Sequence, residues 1–381
     1  MIRGRSAIRE KHPSGEQIGQ RSCNGLFQSH AQWAVLSLIN KHSMRALTLL
    51  TLAFAISPVA MAQSAADLAY NRCNEAKGSV DGVVAICAES LKEKSLPVRA
   101  RARIHAIRGN AYSRDGDLQK AMAEYNESLR VDPQYPYGYN NRGTLWNMVG
   151  EPRKAIIEFD KAISLDAKTV VFHRNRGSTW LDLNEPDKAL ADYSEAIRLE
   201  PGRSGDYQQR AFAWRQKGNL ENAIADNSEA IRLDPQNFQA FNNRGSVWEA
   251  RKEWEKAMAD YNKAIQMVPT FPMALKNRGQ LRASQNDLKG AVADFDLAIK
   301  AFPAFSDAYL LRANVWGRMG EHDKSLIDLN EAIRIDPKST RAYLSRASVW
   351  RAKKDEARQA ADLEKAVQLD PALRDVLSKQ K

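Results

Sequence analysis

The sequence predicts an all-α fold, a right-handed superhelical solenoid of about eight 34-residue helical hairpins with a degenerate N-terminal cap unit. Prolines recur at a 34-residue interval, and so do arginines, each of which is followed by Gly or Ala. No residue is inserted or deleted across eight periods. A fixed period of this length is the signature of a solenoid, in which each unit packs only against its neighbours.

Two columns of residues define the repeat, which we number 1 to 8 in 34-residue windows over residues 102–373. The prolines end each second helix, because proline cannot continue a helix and restricts the residue before it. The proline column is Pro133, Pro201, Pro235, Pro269, Pro303, Pro337 and Pro371, with Ala167 as its one exception. The arginine column is Arg108, Arg142, Arg176, Arg210, Arg244, Arg278, Arg312 and Arg346.

Residues 238–271 show how one unit is built. Apolar and small residues at i, i+4 and i+7 share one face of a first helix, and a second helix follows a polar break. Small residues stand where the two helices must approach closely, and bulky ones fill the space beside them. The face of the first helix is Phe241, Gly245 and Trp248, and that of the second is Ala257, Tyr261, Ala264 and Ile265.

These residues resemble the tetratricopeptide repeat, whose motif runs aromatic, Gly, aromatic, then Ala, aromatic and Pro. The resemblance covers residues 102–373 and implies a concave groove lined by the first helices. Four positions depart from the motif: Arg282 and Asn227 replace aromatics, and Ser325 and Gln359 replace alanines. The large aromatic column of the first helices, which includes Trp146, is interpreted as core rather than as a ligand-stacking surface.

Residues 44–62 have the layout of a secretory signal peptide. Arg45 precedes a mainly apolar run of thirteen residues, Leu47 to Val59, and Ala60 and Ala62 frame an A-x-A cleavage site. A transmembrane helix needs about 20 apolar residues, so cleavage before Gln63 is favoured over a retained anchor. We expect a periplasmic or secreted protein with no stable membrane insertion of the mature chain. Residues 1–43 are expected to come from a start codon assigned too early, or else to form an unusually long basic leader.

The cysteines fit an exported protein. Cys23 lies in the leader, which leaves Cys73 and Cys87, and an even number in an exported chain predicts one disulfide between them. Both fall in residues 63–101, a degenerate unit in which Asp81-Gly82 lies 34 residues before Asp115-Gly116. This unit is predicted to cap the solenoid, because terminal repeats have one face in water. Residues 374–381 form a short tail.

Composition argues against nucleic acid and against catalysis. The net charge is +11, but residues 1–62 contribute +5 of it, and the remaining charges alternate along helices as on a solvated face. His105, His173 and His322 lie far apart, and no phosphate loop, H-E-x-x-H or G-x-S-x-G motif is present. We therefore predict no catalytic residue, no metal site, no cofactor and no nucleic-acid partner.

An acidic column accompanies the arginine column. A buried guanidinium is costly unless it is paired, and every second helix offers a carboxylate at one position. The sequence therefore predicts a ladder of Arg–carboxylate pairs, in preference to an anion-binding surface. The acidic column is Glu124, Glu158, Asp192, Asp226, Asp260, Asp294, Asp328 and Asp362.

Five consecutive primary amides precede the arginines and are the candidate peptide-binding groove: Asn141, Asn175, Gln209, Asn243 and Asn277. An amide offers two donors and an acceptor, so it can pair with both groups of a peptide bond. This column resembles the asparagine ladder of O-linked N-acetylglucosamine transferase, a family whose repeat domain binds polypeptide. The alternative is that these amides bond to neighbouring helices and stitch repeats together. Ligand binding requires side chains that the protein leaves unsatisfied.

The predicted function is that of a non-catalytic scaffold that binds an extended polypeptide or a partner protein in its concave groove, in the cell envelope. One alternative is an envelope structural or carbohydrate-associated module. Another is an RNA-binding helical repeat, since such repeats share the hairpin architecture and read bases with a few side chains each. Export and the weak net charge of the repeats argue against RNA.

Overall fold

The computed structural model describes residues 58–374, and this part of the chain forms α-helices joined by turns and short loops. Residues 1–43, most of the predicted signal peptide and the end of the tail lie outside the described residues. The chain divides into two units, residues 1–61 and 62–381, and of the first only 58–61 are described. No helix among the described residues combines the length and the apolar character that crossing a membrane requires. The predicted all-α class is confirmed.

Eighteen helices are present in residues 58–374, and they follow one another as consecutive hairpins. Their bounds are α1 Pro58–Asn74, α2 Val80–Ser90, α3 Val98–Asp115, α4 Leu118–Val131, α5 Pro136–Met148, α6 Pro152–Leu165, α7 Val170–Asp182, α8 Pro186–Leu199, α9 Ser204–Gln216, α10 Leu220–Leu233, α11 Phe238–Ala250, α12 Trp254–Met267, α13 Pro272–Ser284, α14 Leu288–Ala301, α15 Ser306–Arg318, α16 His322–Ile335, α17 Thr340–Ala352 and α18 Glu356–Leu369. From α5 onward, each first helix begins 34 residues after the previous one.

Contacts between hairpins show which face is concave. The first helices of successive hairpins from α3 to α17 touch one another, and each second helix touches the next first helix. Within residues 98–369, the second helices of successive hairpins make no such contact with one another. The first helices therefore lie on the inner side of the curvature, as the resemblance implied.

The turn inside every hairpin contains one residue in the left-handed conformation. These residues form a 34-residue column: Gly116, Gly150, Asn184, Gly218, Lys252, Asn286, Gly320 and Lys354. Glycine takes a positive φ freely and asparagine tolerates it, whereas Lys252 and Lys354 adopt φ 61° at a steric cost. The periodic backbone thus imposes this conformation even where the side chain disfavours it.

The turn between hairpins is extended at the residue before each column proline. Asp132, for example, has φ −136° and ψ 93°, the region to which a following proline restricts a residue. Asp166, which precedes the exceptional Ala167, has φ −153° and ψ 91°. The turn therefore keeps its shape without the proline.

The tryptophan column packs at the edge of the core. Trp180 and Trp214 pack against the buried cluster around Tyr193, but each remains half-buried. A cation covers the ring in several repeats, as where Lys188 Nζ lies 4.3 Å from the Trp180 ring centroid. The interpretation as core thus holds for one face of the ring, while a lysine shields the other.

The N-terminal unit is joined by the predicted disulfide. Cys73 in α1 and Cys87 in α2 are bonded, with their Cα atoms 4.6 Å apart, which is within the usual range for a bridge. Both cysteines are fully buried in a cluster that also contains Ile104 of α3. The unit therefore covers the end of the array, as a cap should.

Candidate functional site

The arginine and acidic columns pair in every repeat, which confirms the predicted ladder. Each arginine lies 16 residues before its carboxylate partner, and the closest N–O distances run from 2.6 to 2.9 Å. In repeats 3 to 8 the pair is bidentate, as where Arg244 Nε and Nη2 each donate to Asp260 at 2.8 Å. Bidentate charge-assisted bonds are stronger and more specific in geometry than single ones.

The same arginines also connect neighbouring repeats. From Arg142 onward, Nη1 donates to a side chain 16 residues earlier, in the preceding second helix. Arg278 Nη1, for example, lies 2.8 Å from Asn262 Oδ1. The acceptors form a column of small polar residues, Asn126, Asp160, Ser194, Ser228, Asn262, Asp296 and Asn330. This second partner was not predicted, although its column is visible in the sequence.

The first two repeats use glutamate in place of aspartate, with a measurable consequence. Arg108 and Arg142 each reach their glutamate through Nη2, and the Nε of each is buried without a hydrogen-bond partner. The longer glutamate side chain thus forfeits the bidentate geometry. Anion binding is not needed to explain the column, because every guanidinium already holds a carboxylate.

The five candidate amides occupy equivalent turns of the first helices α5, α7, α9, α11 and α13. Four are half-buried and Gln209 is exposed. Because the first helices lie on the inner side of the curvature, the amides follow one another along the concave face.

Three of these amides contact the neighbouring hairpin, so the expectation that the protein leaves them unsatisfied is wrong there. Asn141 Nδ2 donates to Asn110 Oδ1 at 3.1 Å. Asn175 Nδ2 donates to Asn140 Oδ1 at 2.8 Å, and Asn277 Nδ2 to Asn242 Oδ1 at 3.0 Å. Each bond uses one N–H and leaves the other available.

Two asparagines that the sequence interpretation missed complete these contacts. Asn140 and Asn242 are the first members of Asn-Asn doublets, and each is only 6% exposed. The Nδ2 of Asn242 approaches Asn243 Oδ1 at 3.4 Å while its own Oδ1 accepts from the next repeat. The doublets were the signal, because they occur in repeats 2 and 5 alone among the eight windows.

Within each hairpin, the residue after the column arginine faces the aromatic position of the second helix. A Cβ added to Gly245 would lie 2.8 Å from the Tyr261 ring, and one added to Gly143 would lie 2.7 Å from the Phe159 ring. Glycine is therefore required wherever the ring is present. Five repeats pair Gly with Tyr or Phe, whereas Ala211 faces Asn227, Ala313 faces Leu329 and Ala347 faces Leu363.

Repeat 4 is the only one of the eight windows with a polar residue at this ring position. Asn227 is 2% exposed, and its Nδ2 donates to the carbonyl of Ala223 at 2.9 Å. Its Oδ1 is buried and has no hydrogen-bond partner among the described residues. A buried acceptor without a partner costs about 1–3 kcal/mol.

A cavity of about 290 Å³ opens from Asn227 toward the concave face. Phe212 and Met273 line it and are 48% and 41% exposed, although both are large and apolar. The other lining residues are Gln208, Ala211, Arg215, Asn242, Asn243, Ser246, Val247, Lys276 and Asn277. Two of the candidate amides therefore border the same cavity as Asn227.

Two cations border this cavity. Arg215 Nη1 donates to Ser246 Oγ at 3.2 Å, and neither Arg215 nor Lys276 has a carboxylate within 4.0 Å among residues 58–374. The nearby Glu249 instead accepts a hydrogen bond from Tyr261 Oη at 2.7 Å. Burial and this carboxylate both raise the pKa of Tyr261, so its hydroxyl remains a donor.

The histidines of the repeats do not form a site. Over residues 58–374, no cluster of three His, Cys, Asp or Glu side chains is arranged to hold a metal ion. His173 contacts Asp192 through Nδ1 at 3.4 Å, and this contact raises the pKa of His173.

Two family models match the chain. One, described as TPR repeat, matches residues 109–148 and 213–249, and the other, described as Tetratricopeptide repeat, matches residues 276–340. No curated protein matches the sequence. The matched segments contain Asn141, Asn227 and Asn277.

Two solved structures share the architecture. A tetratricopeptide repeat protein from Parabacteroides merdae aligns with a TM-score of 0.57 and 19% identity, over 65% of this chain and 98% of that one. The APC/C hetero-tetramer Cut9–Hcn1 aligns with a TM-score of 0.54 and 15% identity, over 76% of this chain and 55% of that one. At such identities the likeness concerns the fold alone.

Proposed function

Because the chain is a tetratricopeptide-repeat protein, we propose that it is a non-catalytic scaffold that binds an extended polypeptide along its concave face. The supporting observation is the amide column, which recurs at 34-residue intervals on the first helices and keeps polar groups free of protein partners. The second N–H and the Oδ1 of Asn175 and Asn277 have no partner among the described residues. These groups match the acceptor and donor of a peptide bond.

The amides divide into two groups with different roles. Gln209 and Asn243 donate no hydrogen bond within residues 58–374, so their N–H groups are free for a ligand. Asn175 and Asn277 each spend one N–H on the neighbouring repeat and contribute to both ligand binding and stitching. The two groups can be separated by mutation.

The test compares two double variants, Gln209→Ala with Asn243→Ala and Asn175→Ala with Asn277→Ala. The probe is reduced, carboxymethylated α-lactalbumin, a permanently unfolded chain, and the control is the folded native protein. Each lost hydrogen bond is worth about 0.5–1.5 kcal/mol, so the first pair should weaken binding roughly five- to a hundred-fold with an unchanged melting temperature. The second pair should lower both quantities.

Two results would refute groove binding. One is equal affinity for the folded and unfolded probe, because an extended backbone is then not what is recognised. The other is unchanged affinity in the Gln209→Ala, Asn243→Ala variant, because the amides with the freest donors then play no part.

We place this scaffold in the cell envelope. The support is the predicted signal peptide of residues 44–62, together with the buried bond between Cys73 and Cys87, since disulfides persist in oxidising compartments. A fusion of residues 44–70 to a reporter that is active only outside the cytoplasm should be active, and N-terminal sequencing should begin near Gln63. A cytoplasmic product that retains residues 44–62 would contradict export.

A further inference from the structure

Repeat 4 has lost the ring that its neighbours bury, and it has done so without closing the space. In the other repeats the position is filled by a ring or by leucine, as with Leu329, which is 0% exposed. At Asn227 a short polar side chain borders a cavity of about 290 Å³ that adjoins the concave face. A buried site that is both under-filled and polar is destabilising, which indicates a use other than stability.

The chemistry of the cavity is specific. Phe212, Met273 and Val247 supply apolar walls, and Asn227 supplies a buried acceptor with no partner. A few polar groups in a mainly apolar recess are typical of sites that select one side chain. An occupant that satisfies this lining must be bulky and apolar and must carry a hydrogen-bond donor.

We infer that this cavity, which we call the Asn227 pocket, binds a tyrosine or tryptophan side chain of the polypeptide held in the groove. The inference rests on the proposed function, because Asn243 and Asn277 of the amide column border the same cavity. The guest ring occupies the space that Tyr261 fills in the next repeat, and its O–H or N–H donates to Asn227 Oδ1. Rings bury large apolar areas at a low entropic cost and anchor many interfaces.

The cations beside the pocket define the surroundings of that aromatic residue. Arg215 and Lys276 lack carboxylate partners among the described residues, although Glu249 lies in an adjoining cavity and offsets part of their charge. An acidic residue flanking the aromatic one therefore completes the ligand. The class of partner is an extended segment with an aromatic residue next to Glu or Asp.

The probes are nine-residue peptides, Ser-Gly-Glu-Ser-X-Ser-Glu-Gly-Ser, labelled with fluorescein and differing only at X. With X as Tyr, Phe or Leu, the series separates the donor from the ring and the ring from mere apolarity. Wild-type protein should bind the Tyr peptide about five- to tenfold more tightly than the Phe peptide, which is about one hydrogen bond. The Phe peptide should in turn bind more tightly than the Leu peptide.

Two variants test the acceptor and the space separately. Asn227→Ala keeps the space but removes the acceptor, so the preference for Tyr over Phe should fall to about one. Ala211→Gly with Asn227→Tyr rebuilds the Gly–ring pair of repeat 5, so the preference for an aromatic peptide over the Leu peptide should disappear. The matched control, Ala313→Gly with Leu329→Tyr, makes the same exchange in repeat 7 and should leave every affinity unchanged. Melting curves identify any variant that fails to fold.

The outcomes distinguish this inference from the proposed function. If all three peptides bind wild type equally and the Asn227 variants change nothing, the pocket is refuted while groove binding stands. If the unfolded probe described above does not bind either, groove binding falls with it. If the repeat 7 control loses binding as fully as the repeat 4 variant, the effect is not local to Asn227 and the inference is wrong.

Discussion

Repeats 4 and 5 are adjacent, equal in length and almost equal in their polar contacts, yet they differ at one buried position. Both bury the second-helix alanines completely, and both hold a bidentate Arg–Asp pair with N–O distances of 2.8 Å. Repeat 5 fills its centre with Tyr261 against Gly245, whereas repeat 4 has Asn227 against Ala211.

The comparison separates two kinds of column. The alanine and Arg–Asp columns fix the distance and register of the two helices, and they do not change between these repeats. The ring column contributes packing energy, and repeat 4 loses that energy without losing its hairpin. A repeat protein distributes stability over units and their interfaces, so one unit can give up part of its packing for another purpose.

The largest effect should come from removing the ring where it is present. Tyr261→Ala deletes a fully buried aromatic side chain and should cost about 3–5 kcal/mol in the free energy of unfolding, as for other large buried aromatics. Asn227→Ala, at the equivalent position, should change it by less than about 1 kcal/mol, because no ring is lost. Urea unfolding followed by circular dichroism measures both. Equal losses would mean that the two positions are not energetically distinct.

The Arg–Asp pairs should break with similar costs in the two repeats. Arg244→Leu leaves Asp260 nearly buried without its partner, as Arg210→Leu does Asp226. Breaking a buried pair costs about 3–5 kcal/mol, and partial exposure of the arginines reduces this to about 2–4 kcal/mol. Urea midpoints should fall alike in both variants.

A double variant provides the control for this pair. Arg244→Leu with Asp260→Leu removes both charges and should recover much of the loss, because no unpaired carboxylate remains. A double variant as unstable as Arg244→Leu alone would assign the loss to packing rather than to charge.

Filling the gap in repeat 4 should stabilise the protein. Asn227→Leu copies the Ala313–Leu329 pair of repeat 7, removes an unsatisfied buried acceptor and adds apolar contact. The free energy of unfolding should rise by about 1–2 kcal/mol. An unchanged or lower urea midpoint would show that Asn227 is already satisfied and would weaken the case for its pocket.

Features of the fold that depend on periodicity were predictable from the sequence. The hairpins, the Arg–carboxylate ladder and the disulfide each follow from spacing and pairing rules that need no coordinates. The partner of each arginine Nη1 was not predicted, because it depends on how successive hairpins curve against one another. The column from Asn126 to Asn330 nevertheless carried that signal, since its members are all short side chains with an acceptor oxygen.

The candidate site was less predictable, for a physical reason. Whether an asparagine bonds to a neighbour or stays free depends on rotamers and on distances of a few tenths of an ångström, which spacing does not fix. Asn227 was recognised only as a departure from the motif. Its meaning emerged when Ala211 was found opposite it, because the Gly–ring contact shows why the two positions must change together.

The smallest expected effect concerns the hairpin turns of the same two repeats. Repeat 4 turns at Gly218 with φ 76°, and repeat 5 turns at Lys252 with φ 61°. A left-handed conformation costs a non-glycine residue about 1–2 kcal/mol, and the greater freedom of glycine in the unfolded chain offsets part of the gain.

Lys252→Gly should therefore raise the free energy of unfolding by about 0.5–1 kcal/mol, and Gly218→Lys should lower it by a similar amount. Lys217→Gly, one residue before the left-handed position of repeat 4, is the control, since it gains no relief of strain and should not stabilise. Urea midpoints for the three variants decide the matter. If Lys252→Gly and Lys217→Gly shift the midpoint alike, the backbone of repeat 5 carries no strain at Lys252. The two repeats would then differ in their ring position and not in their turn.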